Sequence, residues 1–475
     1  MEGCNTHPHP KRGSLQVKSS KAEVRRKVHK IPSLQFEAES AMTRFAGLIV
    51  FQPLFIALGL KARLTHCFSH IDGAAIYRSG TMYLLLVIQL LLGFRRLRGL
   101  DCLRGDPLVG RIVGLDVLPD VATMSRMLSG ADARSVEAVR SVSRDLVLDR
   151  LEEEHLRVVT LDFDGTVQST KGHAEGTAVG FNKKKKGSRS YYPLLCTVAQ
   201  LSMVLDMHHR SGNVHDSNGA LEFMSICREA VRARLRKARI ETRFDSAFYQ
   251  NELLTDLAGD GVEFTGSVPF ERFPELKRRI AEVDVWERHN ATWSSAKCDW
   301  KPKSWKEGHR LILFRKRRAK QRKGPLQLDL FEPREYEFEY KAVVTNKTGN
   351  AGKILLFHNG RGAQEKLIGD CKQHAAVDVV ATRTACGNQL FTWAGVIAHN
   401  LSRELQMRSR PMDRSTWPKR PALWIFQSLG TLRQRVLHRA GRLIRPQGEL
   451  TLRISADAKA QEEITSYVDA TRAAA

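Results

Sequence analysis

Four carboxylates stand where a folded chain could gather them into one site. Asp162 and Asp164 lie in the strand-like run 157–164, Asp245 ends a second such run, and Glu365 sits in a helical stretch much further on. Strand alternation puts Thr160, Asp162 and Asp164 on one face. Carboxylates at the ends of neighbouring strands can converge on one side of a sheet, and three of them make a hard, oxygen-only set suited to Mg2+ or Mn2+. Two such ions roughly 4 Å apart activate a water and stabilise the leaving oxygen of a phosphodiester. Most Asp and Glu are solvated surface acids, so this chemistry depends wholly on what brings the acids together. Arg361 lies four residues before Glu365 and Lys372 seven after it. On a helix these offsets put all three on roughly one face, where the cations either contact phosphates or pair with Glu365 and Asp370.

The elements needed to position these groups are legible in outline. After the strand at 157–164, residues 191–200 and 201–208 read as a strand pair, 218–237 as a helix and 240–245 as a strand. A helix near 249–258 and a strand at 262–268 follow. Three strands and then helix–strand alternation predict a mixed sheet, part antiparallel and part parallel. Residues 269–350 are irregular and hold Trp286, Trp293, Trp300, Trp305 and the basic run Arg315–Lys323, framed by strands at 311–315 and 336–345. A helix is expected at 362–374, more helices to about 443, then a strand at 449–455 and a polar tail. Upstream, residues 40–150 carry helical spacing. Asp120 is placed to cap a helix that presents Thr123, Ser125 and Arg126, either as a helix-turn-helix reading a DNA groove or as an ordinary helical hairpin.

Composition narrows the function classes. The 475-residue chain is 42% hydrophobic and 27% charged, a globular balance. Its 76 Lys+Arg against 51 Asp+Glu leave a net charge of +25, which favours a polyanionic partner, most often nucleic acid. The apolar stretches 45–60 and 83–94 are too short or too interrupted to cross a membrane and read as buried helices. The eight cysteines show neither CxxC spacing nor Cys/His clustering, so neither structural zinc nor a disulfide framework is expected. The first 38 residues are a basic arm without a secretory signal.

Two families resemble parts of this chain. The string Leu161-Asp-Phe-Asp-Gly-Thr-Val167 is similar to the first motif of haloacid-dehalogenase-type phosphatases, which would make Asp162 a phosphorylated nucleophile and Asp164 an acid/base. The later motifs of that family have no counterpart: neither Gly259-Asp260 nor Gly369-Asp370 is followed by an Asp at the needed distance. The second resemblance spans about residues 40–410. His358-Asn-Gly-Arg361-Gly-Ala-Gln-Glu365-Lys-Leu-Ile-Gly-Asp-Cys-Lys372 resembles the Tyr-x2-Arg-x3-Glu-x6-Lys signature of bacterial insertion-sequence DDE transposases, with His358 in place of the tyrosine. Asp164-Gly165-Thr166 and Arg243-Phe-Asp245-Ser-Ala-Phe248 are similar to the strings around that family's first two acids. Arg210-Ser-Gly-Asn-Val-His-Asp216, Val344-Thr-Asn346, residues 93–106 and Thr123-Met-Ser-Arg126 also fit, in order.

The resemblance implies an α/β fold: a ribonuclease-H-like mixed-sheet core with a β-rich insertion, preceded by a helical DNA-binding region. The implied boundaries are arm 1–38, helical region 39–150, core 151–268 and 351–410, insertion 269–350, and a C-terminal helix and strand region 411–475. The catalytic and metal-holding triad would be Asp164, Asp245 and Glu365, binding two Mg2+ ions for which Mn2+ can substitute. Asp162 competes with Asp164 for the first place, and the Gly-Thr that follows favours Asp164. His358, Arg361, Lys372 and Arg126 would contact DNA. The insertion would offer a Trp to stack on a flipped base, and Lys183–Lys186 with Arg315–Lys323 would meet the backbone. The implied protein joins terminal inverted repeats to target double-stranded DNA as a homodimer, away from membranes, in the bacterial cytoplasm at the nucleoid. The alternatives are the phosphatase and an inactive DNA-binding relic.

Overall fold

The computed structural model describes residues 41–72, 76–180, 182, 185–319, 336–410 and 422–472. The basic arm, Lys183, Lys184, Lys320, Arg322 and Lys323 lie outside the described residues. The described residues from 41 onward form one compact unit.

The helical leader is built around α1 (Ser79–Leu91), every residue of which is buried. A helix apolar all round belongs inside a core. Around it lie α2 (Pro107–Val113), α3 (Val121–Ser129) and α4 (Ala133–Glu153). Each starts on an aspartate that accepts from backbone N–H groups of the first turn: Asp106, Asp120 and Asp132. Such caps satisfy donors that the helix itself leaves over. Gly114, at φ +80°, ends α2 in the left-handed region. No single helix among the described residues is long and apolar enough to cross a membrane.

The central sheet has nine strands. These are β1 (Val158–Gly165), β2 (Leu194–Val198), β3 (Met203–His208), β4 (Arg239–Phe244), β5 (Glu263–Val268), β6 (Glu287–Arg288), β7 (Trp293–Cys298), β8 (Arg310–Ala319) and β9 (Tyr336–Thr345). Their order is β6-β7-β8-β9-β5-β4-β1-β2-β3. β1, β4 and β5 are mutually parallel, while β2 and β3 run as an antiparallel meander from β1. That β3-β2-β1-β4-β5 arrangement is the ribonuclease-H-like mixed sheet expected. The crossovers are α5 (Ala220–Arg234) between β3 and β4, and α6 (Asn251–Gly259) between β4 and β5.

The insertion strands do not stand apart: β9 pairs with β5 and continues the core sheet outward. On its other side, Gly266 of β5 leaves room for the Phe244 ring of β4, because a Cβ there would come within 2.1 Å of it. The chain then returns through α7 (Ala351–Asn359) and α8 (Gly362–Ala375) to the long α9 (Ala385–Ser409). One apolar cluster joins α1 to α8, α9 and residues of β2 and β3, so the leader shares its core with the sheet. Tyr83 of α1 donates to the Leu390 carbonyl at 2.7 Å.

The expected polar tail is instead a helix, α10 (Ala458–Arg472). Its buried Ala460, Ile464, Tyr467 and Thr471 recur at helical spacing, a sparse stripe among polar neighbours. The predicted strand before it forms over Thr451–Ile454, in a small sheet with Gly441–Ile444 and Met42–Thr43.

Candidate active site

The parallel register of β1 and β4 does the first part of the positioning. Asp162 stands opposite Arg243 and Phe163 opposite Phe244. One residue further along, Asp164 and Asp245 leave the same edge of the sheet side by side. Asp245 is fixed by the backbone N–H of Ala247, which donates to Oδ1 at 2.9 Å and caps the short turn Ser246–Phe248. The Gly165 N–H donates to Asp164 Oδ1, also at 2.9 Å.

Glu365 arrives from α8. Arg361, in the turn just before that helix, has Nη1 3.3 Å from Asp164 Oδ2 and Nη2 3.6 Å from Glu365 Oε1. It thereby ties the strand acid to the helix acid. Glu365 is mostly exposed, whereas Asp164 and Arg361 are largely covered. Burial, and then the charges of Asp245 and Asp216, push the Asp164 carboxyl up to about 7 against the pull of Arg361.

Asp162 faces a different environment. It is 1% exposed, and its oxygens meet Arg243 Nε and Nη2 at 2.6 Å each. A phosphate could not reach a carboxylate enclosed and paired in this way, so the structure leaves no nucleophile for the phosphatase reading. The two acids share a strand face, as alternation requires, and are separated by depth: Asp164 is at the edge and Asp162 one step inside it.

Three residues of this region were not selected as site residues from sequence. Tyr192 donates to Asp216 Oδ2 at 2.9 Å, Arg210 Nη2 lies 3.4 Å from Asp216 Oδ1, and the Arg210 guanidinium sits 5.7 Å from the Tyr192 ring centroid. Burial and the Asp245 charge raise the Asp216 carboxyl above its ordinary value, opposed by Tyr192 and Arg210. For Arg210 and Asp216 the sequence signal is the family-like string 210–216, and Tyr192 lies outside it. Gly165 explains why a glycine follows Asp164. A Cβ there would lie 2.4 Å from Asp216 Oδ1 and 2.5 Å from the Tyr192 hydroxyl. Gly165→Ala is therefore expected to displace Asp216 and Tyr192 and to cut activity by about tenfold or more, since misplacement of about 1 Å is costly at a reacting centre. A turnover assay beside a melting curve checks this.

The remaining expected residues are more scattered. His358 is 2% exposed, with Nε2 3.0 Å from Ser267 Oγ and Nδ1 3.1 Å from Thr265 Oγ1. Burial, with Lys341, Arg361 and Arg243 nearby, holds it neutral, near 3. A DNA contact does not fit this placement. An imidazole at this point of α7 packs against the β5 hydroxyls instead of reaching outward. Lys372 lies two turns beyond Glu365 and is partly buried, and its carbonyl accepts from Arg95 of the leader at 3.0 Å. Arg126 is exposed on α3 and donates to Thr123 Oγ1 at 3.0 Å.

The four tryptophans separate by environment. Trp300 is buried against Phe273, and Trp305 stacks on Tyr249 at 4.8 Å. Trp286 lies under Arg315, at 4.7 Å. Trp293 is half-exposed beneath Lys316 and lines a cavity of about 280 Å3 with His289, Asn290, Lys353 and Asn359.

The donor set fits a hard divalent cation. Asp164 and Asp245 offer carboxylate oxygens that could hold one, and a cation would relieve the cost of ionising the buried Asp164. Among the described residues, no three His, Cys, Asp or Glu side chains are already gathered closely enough to hold an ion. Glu365 stays on the flank with Arg361.

A ribonuclease-H-like sheet with acids at the end of β1 and just beyond β4 is the frame on which the comparison with known families bears. The chain matches the family Transposase DDE domain group 1 over residues 32–474, nearly its whole length, and belongs to that family. It is a transposase, an enzyme that cuts and transfers DNA, and its family works with divalent metal ions. No curated protein matches it. Among solved structures it is similar to a piggyBac transposase in a synaptic complex with hairpin DNA, at 12% identity and a TM-score of 0.42 over 84% of this chain and 82% of that one. It is also similar to a Mos1 transposase in a paired-end complex with the left transposon end, at 11% identity and a TM-score of 0.18 over 33% of this chain and 52% of that one.

Proposed function

We propose that this transposase binds the terminal inverted repeats of its own bacterial insertion sequence, cleaves at the element ends and joins the freed 3′-OH to target DNA. The reading is supported by one observation: Asp164 and Asp245 follow in-register neighbours on two parallel strands, and Arg361 bridges Asp164 to Glu365. Asp164 and Asp245 would hold the metal ions, with Glu365 completing the set. Two Mg2+ ions held there, or Mn2+ in their place, would supply an activated water and stabilisation of the leaving oxygen. Arg361 then exchanges a carboxylate for a phosphate oxygen, a bidentate contact that a guanidinium makes well. Lys372 and Arg126 contact the backbone further out, and two copies act together because two ends must be joined. The reaction takes place at the nucleoid of a bacterial cytoplasm.

Trp293 is the best-placed aromatic for a flipped base, because its cavity is shared with Lys353 and Asn359 of α7, the helix that leads to Arg361, whereas the cavity that Trp305 lines holds no α7 residue. Trp293→Ala is expected to slow excision by about 10- to 100-fold, the equivalent of ~1–3 kcal/mol of stacking. Unchanged excision would return the role to Trp286.

The test is excision in cells of a marker placed between the gene's flanking DNA ends, with the protein supplied in trans. Excision supports the reading. End binding without excision would favour an inactive relic, and the departure at His358 from the family's tyrosine makes that the second reading.

A further inference from the structure

Asp162 and Arg243 take no part in the chemistry above, yet they form the most enclosed ion pair near it. Their side chains are 2% and 1% exposed. Each stands two residues before a proposed metal ligand, Asp162 before Asp164 on β1 and Arg243 before Asp245 on β4. The pair also reaches the third element. Arg243 Nη1 donates to the Phe357 carbonyl of α7 at 3.0 Å, and its guanidinium lies 5.2 Å from the Phe357 ring centroid. The backbone carbonyl of Asp162 accepts from Gln364 Nε2 at 2.8 Å, and Gln364, itself 2% exposed, is the residue before Glu365.

We propose that Asp162, Arg243 and Gln364 are positioning residues that lock together the three elements bearing the acids. This rests on the assignment of Asp164, Asp245 and Glu365 as the triad. A buried ion pair adds little net stability over an apolar pair of similar volume, because removing two charges from water offsets their attraction. What it adds here is geometry. The fork of Arg243 matches the carboxylate in one orientation, and its third nitrogen fixes α7 relative to the sheet. Without it, β1 and β4 would still pack through Phe163 and Phe244, and α7 through Leu355 against Ile312, Phe314 and Val343 of β8 and β9, with the acids less closely set. Groups behind metal ligands commonly set affinity or activity by 10- to 100-fold.

The test uses the full chain and three readouts: melting temperature without metal, Mn2+ binding followed by electron paramagnetic resonance, and marker excision. The double variant Asp162→Leu with Arg243→Met removes both charges and keeps the bulk. It is expected to melt near wild type, bind Mn2+ about 10-fold more weakly and lose excision by about 100-fold. Wild-type Mn2+ affinity and excision in this variant would overturn the proposal. If the double variant melts far below wild type, Gln364→Leu decides, with weakened Mn2+ binding supporting the lock and unchanged binding overturning it. Asp245→Asn is measured alongside. If it too leaves Mn2+ binding and excision intact, the triad assignment has failed. If it abolishes them while the double variant does not, the lock alone has failed.

Discussion

Asp245→Asn and Glu365→Gln are each expected to lower excision by at least about a thousandfold, which corresponds to ~4 kcal/mol of lost transition-state stabilisation. Both proteins should remain folded. Asp245 sits at the sheet edge, where an Asn can still accept the Ala247 N–H that closes the turn. Glu365 is mostly exposed, and its contact is the i,i+4 pair with Arg361, so the Gln variant gives up little of the packing. A loss of activity this large with unchanged melting separates a chemical role from a structural one. Asp162→Asn should do the reverse in part. It leaves the Arg243 charge enclosed without its carboxylate partner, a defect of about 3–5 kcal/mol. Excision that survives Glu365→Gln would remove that residue from the triad.

The second large effect lies in the pH dependence of stability without metal. Asp164 in the folded chain holds its proton up to about 7, while the unfolded chain releases it near the ordinary 3.8. Below that ordinary value both states are protonated and the site costs nothing. Between the two values the folded state binds more protons, so stability falls as pH rises, and above about 7 the loss is complete and constant. Its size is roughly 2–4 kcal/mol, allowing for the partial exposure of the side chain. Asp164→Asn should therefore melt higher than wild type at pH 8 and nearly alike at pH 4. Mg2+ should stabilise wild type at pH 8, by about 2.7 kcal/mol at a hundred times its Kd, and leave Asp164→Asn little changed. Thermal melts at two pH values, with and without Mg2+, read all of this. An Asp164→Asn variant that melts lower than wild type at pH 8 would contradict the buried-charge account.

Much of the sheet was legible because strand alternation is a local pattern. β1, β4, β5 and the crossover helix α6 appear within a residue or two of where periodicity places them, and α5 within three. The pairing of Arg361 with Glu365 follows from helix geometry alone. The choice between Asp162 and Asp164 did not follow from pattern. Both point to the same side of one strand, and alternation says nothing about depth. Depth came from Arg243, brought opposite Asp162 by the parallel register, which closed over one acid and left the other at the edge.

Tyr192, Asp216 and Arg210 were hidden for a related reason. Their contacts join a loop to the end of a strand, and loops carry no period. His358 suits a phosphate as well as a hydroxyl by its chemistry, and its packing against the β5 hydroxyls is a tertiary contact that the sequence does not show. The extension of the core sheet by β9 likewise rests on a long-range register between residues 265–268 and 342–345. By itself the sequence determined the order of elements, the basic charge and the acids available for chemistry, since these follow from local periodicity and residue type. The tertiary structure alone decided which acids meet, which is sealed away and what holds them in place, because those depend on contacts between residues some 80 to 200 positions apart.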